Sequence, residues 1–272
     1  MAIELEIRDG VPYWYLSPDV WVVKNPGDTV ESQPIAGTPC YLMAKVANNG
    51  TSNVTNATVK FYWANPSIGV DRNMATFVGQ SFVSLTTGQV EDVLCLTPWI
   101  PEFLNEGHEC ILAEAFHGND PLPATIDFNV PTDRHVAQKN LSVLLAMKSM
   151  FHMNFEMHNG SRKKREFTTK IQQVMVDRII KEFPEIQKMI KGKEEGKLIS
   201  AEFTNSRCPD SDEKSKKTNE IVENKEIITL EGYQKKQMAV TGKIDGDFAF
   251  IIVSQYSEKM ETGGLGFLII NQ

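Results

Sequence analysis

Cysteine is scarce in this chain. The four in 272 residues are Cys40, Cys95, Cys110 and Cys208. None stands at the CxxC or Cys/His spacing of a structural zinc site. Long apolar runs are missing too: no window approaches 18 consecutive apolar residues, which excludes a transmembrane helix. Residues 1–9 lack a basic n-region and an apolar h-region, so the expectation is a cytoplasmic protein or one exported without a leader. Positive charge is short, with Lys+Arg 28 against Asp+Glu 35 and a net charge of -7. Phosphate backbones would be repelled, so a nucleic-acid partner is not expected. There is no Gly-x-Ser-x-Gly elbow, P-loop or His-Glu-x-x-His segment to carry catalysis, and no cofactor is implied. The Asn-x-Ser/Thr triplets at Asn49, Asn53, Asn56, Asn140 and Asn159 read as β-turn composition.

What the chain does have is alternation. In residues 40–46, Cys40, Leu42, Ala44 and Val46 share one face while Tyr41, Met43 and Lys45 share the other, the period of a half-buried strand. A polar turn leads to a second such strand at 57–64. Further strands are read at 14–16, 20–23, 77–85, 90–96, 110–116 and 126–130, with Gly, Pro and Asn between them. Short strands at this spacing predict an all-β sandwich.

Several segments add a resemblance. Ala47–Gly50, Val59–Pro66, Trp99–Pro101, Gly107–Ala113 and His135–Asn140 together resemble bacterial Ig-like sandwich domains of the adhesion-related CARDB kind, over roughly residues 15–145. The resemblance implies a non-enzymatic binding or spacer module. It makes the segments opening at Cys40 and Cys110 strands B and F, which face each other across the core. A disulfide there is geometrically conceivable, but two buried free thiols are favoured without an export signal.

The second half is less regular. Residues 150–158 alternate, with Phe151, Met153, Phe155 and Met157 on one face. From Phe167 to Ile190 the apolar residues Phe167, Ile171, Val174, Met175, Ile179, Phe183, Ile186 and Ile190 form a stripe of helical period, so a helix over about 167–191 is predicted, kinked at Pro184 or restarted there as a second helix. Residues 205–224 are nearly all polar and read as a mobile loop. Strands return at 226–230, 236–242, 247–256 and 264–270, the last apolar enough to be covered on both faces. Gly263–Gly266 is read as a hairpin turn. The fold expected is two tandem Ig-like sandwiches, residues 1–140 and 141–272, the second with a helical insertion.

Three sets of residues are candidates for function. His152, Glu156 and His158 share the polar face of their strand and are acceptable metal ligands or an acid/base pair; as the solvated face of a strand they would need no further role. Arg162, Lys163, Lys164 and Arg165 form the one concentrated positive patch, an anion-binding site or a solvated turn, with Thr168 or Thr169 as helix cap. Trp14, Trp21, Trp63 and Trp99 would line a sugar-binding surface or plug cores. Asp133 and Arg134, beside His135 in the expected interdomain connection, read as a surface or interface ion pair. The function expected is contact with an unidentified protein partner through loops and the helical insertion. The helix is also compatible with a homo-oligomer. A metal-dependent enzyme and a carbohydrate-binding module are the alternatives.

Overall fold

The computed structural model describes residues 2–65, 67–70, 72–102, 109–124, 128, 131, 133–204 and 224–272. Cys208, His108, most of the strand read at 126–130 and the polar segment 205–223 lie outside them.

The chain is nearly all β, as alternation requires. Strands β1 (Leu5–Glu6), β2 (Val20–Val23) and β7 (Val90–Leu94) pair with β3 (Tyr41–Asn48) in one antiparallel sheet. The facing sheet runs β6 (Thr76–Leu85), β4 (Val54–Ala64), β8 (Cys110–Phe116), β9 (Val136–Lys139). Cys40, Leu42, Ala44 and Val46 point into the core between them, with Val59, Phe61, Ile111 and Ala113. This is an Ig-like sandwich by strand order. Cys40, Cys95 and Cys110 are buried free thiols. No Cys40–Cys110 bridge forms because the two point apart: Cys40 enters the core, whereas Cys110 sits with Tyr62 and Leu112 on the far face of its sheet.

The remaining strands close a second core. One sheet runs β10 (Leu141–Ala146), β17 (Met260–Asn271), β16 (Phe248–Ser257), β12 (Arg165–Gln173), β14 (Asn224–Leu230). The other runs β13 (Leu198–Thr204), β15 (Lys235–Ile244), β11 (Met150–His158), β5 (Ser67–Ile68). Phe151, Met153, Phe155 and Met157 face this core, as alternation predicts. The segment β5 comes from the first half of the chain and pairs in parallel with β11.

Three expectations are corrected. The helix over 167–191 is not continuous: residues 165–173 are strand β12, followed by a 3-10 turn at Val176–Arg178 and helix α1 at Pro184–Met189. Phe167 and Ile171 are four apart, a spacing that satisfies both a helix face and every second residue of a strand. Thr168 and Thr169, β-branched, decide for the strand. Thr169 therefore caps nothing, and its hydroxyl lies in the interior against the Met157 sulfur. Residues 14–16 are not a strand but an irregular segment with a single bridge, Leu16 to Lys139. Gly263–Gly266 lies inside β17, and the hairpin turns instead at Glu258 and Lys259, both at positive φ.

Burial of β17 on both faces holds. Leu265, Phe267 and Ile269 enter the sandwich core, while Leu268 lies under Val174, Val176, Ile179, Phe183, Ile186 and Ile190. Of the stripe read as helical, Val174, Ile179, Phe183, Ile186 and Ile190 cover the sheet through a turn and a short helix, whereas Phe167 and Ile171 enter the sandwich core and Met175 is exposed.

Candidate functional site

The two cores meet along residues 13–16. Tyr15 is fully buried, and its hydroxyl lies 3.0 Å from the Ser254 hydroxyl on β16. Its carbonyl accepts a hydrogen bond from the Asn140 amide at 2.9 Å. The Asn140 side chain donates to the Gly264 carbonyl at 2.9 Å, and its carbonyl accepts from the Gly266 amide at 2.9 Å. Gly264 must lack a side chain, since a Cβ there would stand 2.2 Å from Cζ of Tyr15. Beside this contact, burial raises the Glu261 carboxyl against the opposing hydroxyls of Ser254, Tyr15 and Tyr256.

A second junction is ionic. Lys139, at the end of β9, is buried and bonds Glu185 of α1 at 3.1 Å and Glu31 of the loop after β2. Its ammonium also stands 4.8 Å from the Phe183 ring centre. One cation faces two carboxylates in a site with little water. Burial therefore pushes the Glu31 carboxyl up, the Glu185 carboxylate adds to this, and Lys139 works against both.

A third cluster lies in the first sandwich. The His135 ring places Nδ1 2.6 Å from Asp133 and Nε2 3.2 Å from Asp120. Asp120 also accepts the Leu5 amide at 2.7 Å and pairs with Arg134. The expected surface pair of Asp133 with Arg134 is thus replaced by a largely buried network, because the short 117–120 turn brings Asp120 beneath them. Nearby, burial, then Glu6 and Asp133, raise the Asp9 carboxyl to about 8.

The predicted site residues have separate partners. His152 lies 3.0 Å from the Thr241 hydroxyl at the surface. Glu156 is held by Lys235 at 3.2 Å and Gln237 at 3.0 Å. His158 is buried with Nδ1 3.3 Å from the Gly69 carbonyl. Among the described residues no three His, Cys, Asp or Glu side chains converge to hold a metal ion. In the basic run, Arg162 donates to the Tyr233 hydroxyl at 3.0 Å and Lys164 pairs with Glu231 at 2.6 Å, while the side chains of residues 162–165 stay exposed. Asn159, read in sequence only as turn composition, shapes that turn: its amide donates to the carbonyls of Lys163, Leu230 and Glu231. An Asn-Gly pair ahead of a charged run was the available signal. Trp21 and Trp99 are buried, and Trp14 and Trp63 pack on cores, so the four do not form an open platform.

Exposed apolar side chains gather on adjacent loops of the first sandwich. Ile35 is 65% exposed, Leu96 74% and Ile100 53%. The Gly37 amide donates to the Pro101 carbonyl at 2.9 Å and Cys40 pairs with Trp99 through both backbone bonds, which binds the two loops side by side.

No protein-family model matches the chain, and no curated protein is significantly similar to it. Among solved structures, a CARDB domain from Pyrococcus furiosus, crystallised with di-metal ions, is similar at 16% identity and a TM-score of 0.29, over 51% of this chain and 85% of that one. A cycloisomaltooligosaccharide glucanotransferase from Paenibacillus sp. is similar at 22% identity and a TM-score of 0.23, over 32% of this chain and 11% of that one. Red sea bream transglutaminase is similar at 10% identity and a TM-score of 0.25, over the whole of this chain but 31% of its own. A CARDB domain thus stands among the similar structures, as the sequence motifs lead one to expect. At these scores the likenesses carry no argument about activity, and strand order defines the fold. No helix among the described residues is long and apolar enough to cross a membrane.

Proposed function

We propose that the chain is a non-enzymatic binding or scaffolding protein of bacterial type. It consists of two tandem Ig-like sandwich domains, residues 1–140 and 141–272, with Ser67–Ile68 of the first lending a strand to the second, and contacts a protein partner through loops of the first. The observation that carries this reading is the neighbouring exposure of Ile35, Leu96 and Ile100 on loops tied together by backbone bonds. Aliphatic side chains held out on a pinned backbone bind at a low ordering cost. The insertion has a different part in this reading from the one expected of it. Its apolar residues Val174, Val176, Ile179, Phe183, Ile186 and Ile190 are spent on β16 and β17, so in this reading it supports the junction and does not recruit the partner.

The test uses the full chain as bait in lysate from its own source. A protein retained by the wild type and by a control Ile227→Asp variant, but lost with Ile35→Asp/Ile100→Asp, supports the reading. An identical set of captured proteins for all three overturns it. Metal analysis of the same preparation addresses the rival. Stoichiometric metal that disappears in a His152→Ala/His158→Ala variant would replace the binding role with a metal-dependent one.

A further inference from the structure

Strand β6 is the long free edge of the first sandwich. It runs ten residues, Thr76 to Leu85, and pairs only with β4. Among the described residues, no backbone partner satisfies the side of β6 that faces away from β4. Not one of the ten residues is charged and none is proline. Exposed edges are ordinarily guarded by such residues, because an open row of amides and carbonyls invites pairing. Other edges of this chain follow that rule: β7 carries Glu91 and Asp92, β13 carries Glu202, and β14 carries Lys225 and Glu226. The uncharged edges β2, β5 and β10 are short, at four, two and six residues.

Side chains on the outer face of β6 point the same way. Phe82 is 60% exposed and Phe77 52%. Register places Phe82 in a row with Thr58 and Phe116, and Phe77 in a row with Tyr62 and Leu112. Lys60 lies over the Phe116 ring at 5.1 Å, and the Tyr62 and Phe77 ring centres are 5.6 Å apart. Between these two rows lies a polar one, Gln80, Lys60 and Glu114, so two largely apolar rows reach the sheet edge on either side of it.

We infer that β6 pairs antiparallel with β6 of a second copy of this chain, about a two-fold axis perpendicular to the sheet. An unguarded, neutral strand needs a partner edge with no charge to desolvate, and its own copy supplies one. The two-fold keeps both outer faces on the same side, so Phe77 and Phe82 of each copy lie on one face of an eight-stranded sheet. Strand pairing without a broad face-to-face contact falls at the small end of interface sizes, so the dimer is reversible and concentration-dependent.

Sedimentation velocity of the full chain over roughly 1–200 µM tests this. A monomer–dimer equilibrium is expected for the wild type. Phe82→Lys places two like charges near the axis of the paired edge and is expected to weaken the dimer by about tenfold or more. Ile227→Lys, on the edge of β14, leaves it unchanged. Phe82 is exposed, so the variant keeps its fold. Hydrogen exchange supplies the second measurement: amides of β6 gain protection as concentration rises, while those of β14 do not. A wild type that stays monomeric across the range overturns the inference. So does a dimer that Phe82→Lys leaves intact, or one without concentration-dependent protection in β6.

Discussion

Asp9 shows how a single burial contributes to the pH response of the chain. Its carboxyl is raised to about 8 by burial, then by Glu6 and Asp133, from an ordinary value of 3.8. Between those two values the folded chain holds a proton that the unfolded chain has released, so stability is highest at the acid end and falls as pH rises through the window. Replacing Asp9 with Asn keeps the shape and removes the ionisation. The variant should be more stable than the wild type by up to ~5 kcal/mol near pH 8, with the gap closing near pH 4. Urea unfolding at both ends checks this, and a pH-independent gap would show that Asp9 titrates normally. None of this was legible in sequence, because Asp9 is an ordinary loop acid until the network around Asp133 and His135 is built beside it. The same applies to Asn159. Its turn composition was visible, yet the three carbonyls it gathers come from residues 163, 230 and 231.

Among the elements, strands with a clean period of two were readable from residue order alone. Both faces of β3 and β11 follow their alternation, with Leu42 and Ala44 inside one core and Met153 and Phe155 inside the other. Where the apolar spacing was four, period did not decide, and 167–173 reads as helix until β16 and β14 pair with it on either side. The glycines of β17 also mislead. Gly264 is there to admit the Tyr15 ring, a contact 249 positions away in sequence that no local signal announces. The turn that β17 does use is built from poor residues: Glu258 and Lys259 lie at φ 50° and 74° on an exposed hairpin between Ser257 and Met260. A two-residue turn with both φ positive favours Asn-Gly. Glu258→Asn/Lys259→Gly is therefore expected to stabilise the protein by about 1 kcal/mol, since left-handed backbone costs a side-chain-bearing residue 1–2 kcal/mol. A thermal shift upward without change in the far-ultraviolet spectrum is the expected result. A downward shift would mean the Glu258 or Lys259 side chain makes a contact worth more than the strain.

In the whole molecule, the junction decides whether two cores behave as one. Lys139 sits on the last strand of the first sheet pair, and Glu185 on the helix that covers the second. Breaking a buried ion pair from one side leaves the other charge stranded, at ~3–5 kcal/mol, whereas replacing the whole set is often close to neutral. Lys139→Met strands both Glu31 and Glu185 and sets them against each other across the junction. Tyr15 and Asn140 still connect the halves, so the variant should fold with the coupling weakened. The distribution of tryptophan makes this visible. All four, Trp14, Trp21, Trp63 and Trp99, lie before residue 100, while strands β10–β17 carry none. Trp21, Trp63 and Trp99 pack within the first sandwich and Trp14 at the junction, so tryptophan fluorescence follows mainly the first half, and far-ultraviolet dichroism follows both. In the wild type the two unfolding curves should coincide. In Lys139→Met they should separate, and in Glu31→Gln/Lys139→Met/Glu185→Gln, with no stranded charge, the gap should narrow. Wild-type curves that are already separate would mean that Tyr15, Asn140 and Lys139 hold the halves in contact without making them fold as a unit. The scaffold would then bend at its middle.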